Sequence, residues 1–229
     1  MSAGSTWADD ALRSMVASLA AAGDAERAAS MRKYMRDQFV FFGVPTPERR
    51  RITRRVLAAL DEPRSPDVET FAVLAWEREE RELQYVAVDV LAAHAGRARP
   101  ELLVTVRRLI TTKSWWDTVD ALASKVVGPL VRRHPELVGT LDDWIVGRDL
   151  WLARTAMLHQ LAYKEHTDVD RLFRYSLALA GREDFFARKA IGWALRQYAV
   201  TDPRAVERFL SDHAADLSPL TRREAAKHL

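Results

Sequence analysis

The sequence predicts an all-α fold: an α-solenoid of HEAT-like antiparallel helix pairs, forming one curved domain over residues 1–229. Three observations carry that expectation. Apolar residues recur at the helical period almost throughout, and strand alternation is nearly absent. Eight of the nine prolines fall between periodic segments or in their first turns, where a missing N–H is tolerated. Helical units also recur at a spacing of 34 residues: Leu152, Arg154 and Ala156 are followed by Phe186, Arg188 and Ala190, then by Leu220, Arg222 and Glu224. Leu161, Leu195 and Leu229 keep the same phase. Stacked helical units of this period bury a continuous core, which is the solenoid principle. The repeat is regular after residue 115 and degenerate before it.

The elements follow in order. Residues 8–22 place Leu12, Met15, Val16 and Leu19 on one face, an N-terminal helix that stands somewhat apart from the repeat. Residues 25–38 read as a helix with Ala28, Met31 and Met35 inward and Arg27, Arg32, Lys33 and Arg36 outward. The stretch 39–47 breaks the pattern; Thr46 is placed to cap the next helix and Pro47 to open it. Residues 48–60 turn Ile52, Val56 and Leu60 inward. Further helices are expected at 67–77, 80–94, 100–112, 115–133, 135–147, 150–164, 169–180, 184–199, 203–213 and 219–228. Within 115–133, Pro129 follows Gly128 and predicts a kink.

Composition excludes several classes. There is no cysteine, so disulfides and thiolate metal sites are ruled out. No apolar run approaches the ~18 residues of a membrane span. Residues 11–22 faintly resemble a signal segment, but Asp9 and Asp10 precede it where basic residues belong, so a cytoplasmic, nucleoid-associated protein is expected. The net charge of +3 is small, yet only six of the 35 basic residues are lysine. Arginine's planar fork suits phosphate, although base composition of the genome would give the same bias. No dinucleotide-binding glycine motif, P-loop or nucleophile elbow is present. The six histidines stand apart from one another. No metal and no cofactor are therefore expected.

Residues 113–120 are the candidate centre. Ser114 reads as a helix N-cap completed by Asp117, and Trp116 and Asp120, four apart, share a helical face. An indole beside a carboxylate suits a flat cation, with about 0.5–2 kcal/mol from the indole face alone; core packing of Trp115 and Trp116 is the bland reading. Trp151 pairs with Arg154, and Trp193 with Arg196, each three apart. Trp193 aligns in the repeat with His159 and Lys227, so it does not define the repeat core. Arg49, Arg50, Arg51, Arg54 and Arg55 form a basic helix face, which is either a phosphate clamp or a solvated surface.

Tyr34 with residues 39–50 (FVFFGVPTPERR), 112–120 (TKSWWDTVD), 150–160 (LWLARTAMLHQ), 185–198 (FFARKAIGWALRQY) and 217–228 (LSPLTRREAAKH) together resemble the AlkD-type DNA alkylation repair glycosylases. The resemblance runs in order from about residue 24 to the end. It implies a HEAT-like shell that holds duplex DNA and hydrolyses the N-glycosidic bond of positively charged N3- and N7-alkylpurines. It places Trp116, Asp120 and Trp193 at the lesion nucleotide, Arg154 beside the aspartate and Tyr34 near the same cleft. The expected DNA contacts are Tyr34, Arg154, Arg196, Arg49, Arg50, Lys113, Lys189 and Lys227, and the protein is expected to act as a monomer. The alternative is a non-catalytic scaffold for DNA structures or a protein partner, which would not need the Trp116, Asp120 and Trp193 set.

Overall fold

The computed structural model describes residues 6–229, and among them every regular element is helical; extended pairing is limited to a lone bridge between Val40 and Glu80. No described helix is long and apolar enough to cross a membrane. The chain divides into two compact units, Met1–Ala98 and Arg99–Leu229.

The first unit contains α1 (Trp7–Ala21), α2 (Ala25–Tyr34), α3 (Thr46–Ala58), α4 (Ser65–Glu77) and α5 (Arg81–Ala95). Thr6 caps α1 in a reciprocal box with Asp9, and Ala8, Ala11, Met15 and Leu19 are buried on a helix that packs on α3 and α4. Ile52, Val56, Phe71, Trp76, Leu83, Val86 and Leu91 complete the core. Each large side chain of this kind contributes about 1.5–3 kcal/mol, more than an exposed ion pair does.

In the first unit the largest departures from expectation lie at the end of α2 and the start of α3. The helix expected over 25–38 ends at Tyr34, and none of its residues is fully buried; Met35, just beyond it, is. Arg36 and Asp37 are both left-handed, with φ of 55° and 57°. The Asp37 amide reaches the Arg32 carbonyl at 2.9 Å and its carboxylate accepts from Arg32 Nε at 2.7 Å, closing the helix early. The loop that follows is held by Glu82, a buried carboxylate that accepts the amides of Phe42, Gly43 and Val44 at 3.1, 2.8 and 3.1 Å. Only glycine serves at Gly43: its φ is 89°, and a Cβ there would stand 2.0 Å from the Asp24 carbonyl. Pro45, not Thr46, occupies the N-cap of α3, so Thr46 is already helical.

The second unit contains α6 (Leu102–Ile110), α7 (Trp116–Leu122), α8 (Gly128–Arg133), α9 (Val138–Val146), α10 (Leu150–Leu158), α11 (Val169–Ala180), α12 (Phe185–Ala199), α13 (Pro203–Asp212) and α14 (Pro219–Ala225). Asp149, Asp168, Asp202 and Ser218 cap α10, α11, α13 and α14 through their side chains, each worth about 1 kcal/mol. The 34-residue period reappears as bonding between successive units. Arg154 to Asp120, Tyr163 to the Gly128 carbonyl, Tyr175 to Asp142 and Thr221 to the Arg188 carbonyl all link residues 33 to 35 apart.

The kink expected at Pro129 takes the form of a π-turn, Ala123–Val127, in which the Gly128 amide reaches the Ala123 carbonyl. Proline lacks the N–H that would continue the α ladder, and the wider turn absorbs the break just before it. A Cβ on Gly128 would stand 2.3 Å from the His159 carbonyl, so glycine lets this turn rest on the end of α10. His159 itself is core: its Nδ1 lies 2.6 Å from the Ala156 carbonyl, and its ring meets those of Tyr163 and Tyr175. Burial lowers its pKa to about 4, so it is neutral at physiological pH.

Candidate active site

The chain enters the site through residues 111–115. Lys113 is left-handed, with φ of 50°. Ser114 does not cap α7 as the spacing suggests: its hydroxyl donates to the Ile110 carbonyl at 2.6 Å and finishes α6 instead. Trp115 takes the N-cap place in extended conformation, with no side-chain bond to the helix. Its ring is packed rather than displayed, 5.9 Å from Trp151 and 5.2 Å from Phe186, and Trp151 and Phe186 are themselves 5.2 Å apart. The buried indole nitrogen of Trp115 has no hydrogen-bond partner. Trp115 thus serves packing, while Trp116 opens α7 half-buried, one turn before Asp120.

Asp120 is joined to Arg154 of α10 through both carboxylate oxygens, Nε to Oδ1 at 2.6 Å and Nη2 to Oδ2 at 2.8 Å. The third arm, Nη1, donates to the Phe186 carbonyl at 2.5 Å, so one guanidinium ties α7, α10 and α12. The Asp120 side chain is 13% exposed and that of Arg154 6%. Burial pushes the Asp120 pKa up, and the hydrogen bonds and charge of Arg154 pull it back. Help from the helix N-terminus is minor, since Asp120 is the fifth residue of α7 and the dipole acts over the first turn. Accepting from Arg154 at both oxygens favours the ionised form, because protonation turns one oxygen into a donor that faces the guanidinium's own N–H groups.

Trp193 sits half-buried on α12, and Lys189 and Arg196 lie four residues before and three after it. These two cations and Lys227 all converge on Glu224 of α14. The repeat position shared by His159, Trp193 and Lys227 therefore has three fates: core, half-buried and exposed. Arg188, aligned with Arg154, donates from Nε to the Arg182 carbonyl, a structural bond.

Tyr34, Arg49 and Arg50 belong to the first unit. Tyr34 is 71% exposed at the end of α2. Arg49 is not the open phosphate contact expected: it is buried, bonded to Asp89 at 3.0 Å and stacked 4.8 Å from the Tyr85 ring centre. Arg50 is half exposed and 3.6 Å from the same carboxylate, while Arg51, Arg54 and Arg55 are exposed. Glu224, Asp89 and Phe186 are the residues sequence reasoning passed over. Phe186 stood at the repeat position of Leu152, and Glu224 stood three before Lys227; neither spacing alone signals a site. Among the described residues no group of three or more His, Asp or Glu side chains is placed to hold a metal.

Comparison with known proteins agrees with the architecture. A sequence model of the family described as DNA alkylation repair enzyme matches residues 15–229. A solved structure described as a predicted DNA alkylation repair enzyme from Enterococcus faecalis is 35% identical, covering 90% of this chain and 96% of its own, with a TM-score of 0.83. The crystal structure of smu.31 from Streptococcus mutans UA159 is 17% identical and covers 77% of this chain and 90% of that one, with a TM-score of 0.61, a likeness of fold. No curated protein matches the chain.

Proposed function

This chain belongs to the DNA alkylation repair enzyme family, and on that premise we propose that it is a monofunctional glycosylase for cationic N3- and N7-alkylpurines in duplex DNA. The observation that carries the proposal is the Asp120–Arg154 pair: a largely buried carboxylate whose plane is set by a guanidinium, one helical turn from Trp116.

An N3- or N7-alkylated purine is already positively charged, so it departs without a general acid. As the glycosidic bond breaks, its electron pair neutralises the purine, and the sugar acquires oxocarbenium character. Asp120 stabilises that charge. Each carboxylate oxygen has two lone pairs and Arg154 engages one on each, which leaves acceptors to orient a water toward C1′. The water oxygen bonds to C1′ and its proton leaves to solvent. A carboxylate about 4 Å from the developing charge, at an effective dielectric of about 20, offers about 4 kcal/mol, or roughly 10³ in rate. Arg154's own charge makes that an upper value. Trp116 and Trp193 supply cation–π and sugar contacts, and the exposed arginines of α3 supply phosphate contacts.

The test is the appearance of free N3-methyladenine or N7-methylguanine when the protein meets methylated duplex DNA, with the abasic strand left uncut. The same buried ion pair would suit a non-catalytic scaffold. Salt-dependent duplex binding with no released base would select that reading instead.

A further inference from the structure

Lys189, Trp193 and Arg196 stand at i, i+4 and i+7 on α12, one helical face. Glu224 approaches that face from α14. Its Oε2 meets Lys189 Nζ at 2.9 Å and Arg196 Nη1 at 3.2 Å, and its Oε1 meets Lys227 Nζ at 2.6 Å. The carboxylate side chain is only 10% exposed, whereas the three cations are 33%, 23% and 51% exposed. The negative charge is thus at the back, and a surplus of two positive charges is at the front. The approach is close by construction: a Cβ on Gly192 would stand 2.4 Å from Glu224 Cβ and 2.9 Å from the Thr221 carbonyl. The cations also lower the Glu224 pKa to about 2, Lys227 first and then Lys189, so the anchor stays charged.

An ion pair made for stability needs one cation; three around one carboxylate repel one another and leave charge unspent. A guanidinium has five N–H donors and an ammonium three, and the contacts with Glu224 use one of each. From this geometry we infer that Glu224 is a positioning residue that holds Lys189, Arg196 and Lys227 as a preset clamp for a backbone phosphate beside Trp193. The inference rests on the duplex-DNA reading above. The clamp takes a phosphodiester, and its specificity for the lesion is left to the aromatic residues.

Glu224→Gln separates positioning from plain charge. It raises the net charge by one, so charge alone predicts tighter binding to an undamaged duplex. The clamp predicts weaker binding, by about tenfold in Kd, with a salt slope shallower by about one. Tighter or unchanged binding by a folded Glu224→Gln protein overturns the inference. Should that variant not fold, Lys227→Ala, at an exposed position, carries the test: the slope falls by about one, or the clamp is wrong. Base release, followed in parallel, keeps the two readings apart. Weakened duplex binding by Glu224→Gln when the wild type releases no base upholds the clamp and removes the glycosylase. Release by the wild type with unweakened binding by Glu224→Gln does the reverse.

Discussion

In the second unit Arg154 grips Asp120 with two nitrogens on two oxygens, at 2.6 and 2.8 Å. In the first unit Arg49 reaches Asp89 with one nitrogen at 3.0 Å, and that carboxylate is shared with Arg50 at 3.6 Å. The two arginines are buried alike, at 6% and 7% exposure, while the aspartates differ, at 13% and 23%. Arg49 is stacked on Tyr85, and its Nε is buried without a partner, so the pair anchors α3 on α5. Arg154 instead spends every arm of its fork, the third on the Phe186 carbonyl, and delivers a carboxylate of fixed plane. Identical residue types thus serve as a fastener in one unit and as a preset charge in the other. What separates them is the number of nitrogens engaged and how much water reaches the anion.

The largest expected effect breaks that comparison at its anions. Asp120→Asn should slow base release under single-turnover conditions by roughly 10²–10³, and Asp89→Asn should change it no more than a few-fold. Next come the cations. Arg154→Gln strands a buried carboxylate and should cost about 3 kcal/mol in denaturant unfolding, and it should move the acid limb of activity toward neutral pH, because Arg154 is what restrains the raised Asp120 pKa. Arg49→Gln should cost less, since Asp89 keeps Arg50. Stability against pH sharpens the contrast along the repeat. His159, at the position Trp193 fills one unit later, has its pKa lowered from 6.5 to about 4 by burial. The unfolded chain therefore takes up a proton below pH 6.5 that the folded chain refuses until about pH 4. Stability should fall by about 3 kcal/mol across that window as pH drops, and His159→Gln should flatten the fall. The smallest effect is Tyr163→Phe, which removes the 2.6 Å bond to the Gly128 carbonyl and should cost about 1 kcal/mol in thermal unfolding.

The helices were legible because their apolar residues keep period, and the 34-residue spacing gave the repeat but not the bonds that run between repeats at that separation. That Arg154 stands beside Asp120 came from the family resemblance, and the structure adds that the two lie one repeat apart. The early end of α2 was not legible: it depends on Arg36 and Asp37 turning left-handed and on Glu82, some 40 residues away, collecting three loop amides. Ser114 misled because a serine hydroxyl satisfies the helix behind it as readily as the one ahead. Arg49 misled because a basic run shows charge and not which member faces inward. Glu224 escaped because one carboxylate among cations gains meaning only when α14 is seen against α12.

The pH dependence of N3-methyladenine release, measured under single turnover between pH 5 and 8, tests most directly whether an ionised Asp120 acts without an acid partner. One acid limb followed by a plateau, with the limb lost in Asp120→Asn, is the predicted result. A bell-shaped profile, or the same limb surviving in Asp120→Asn, would contradict it.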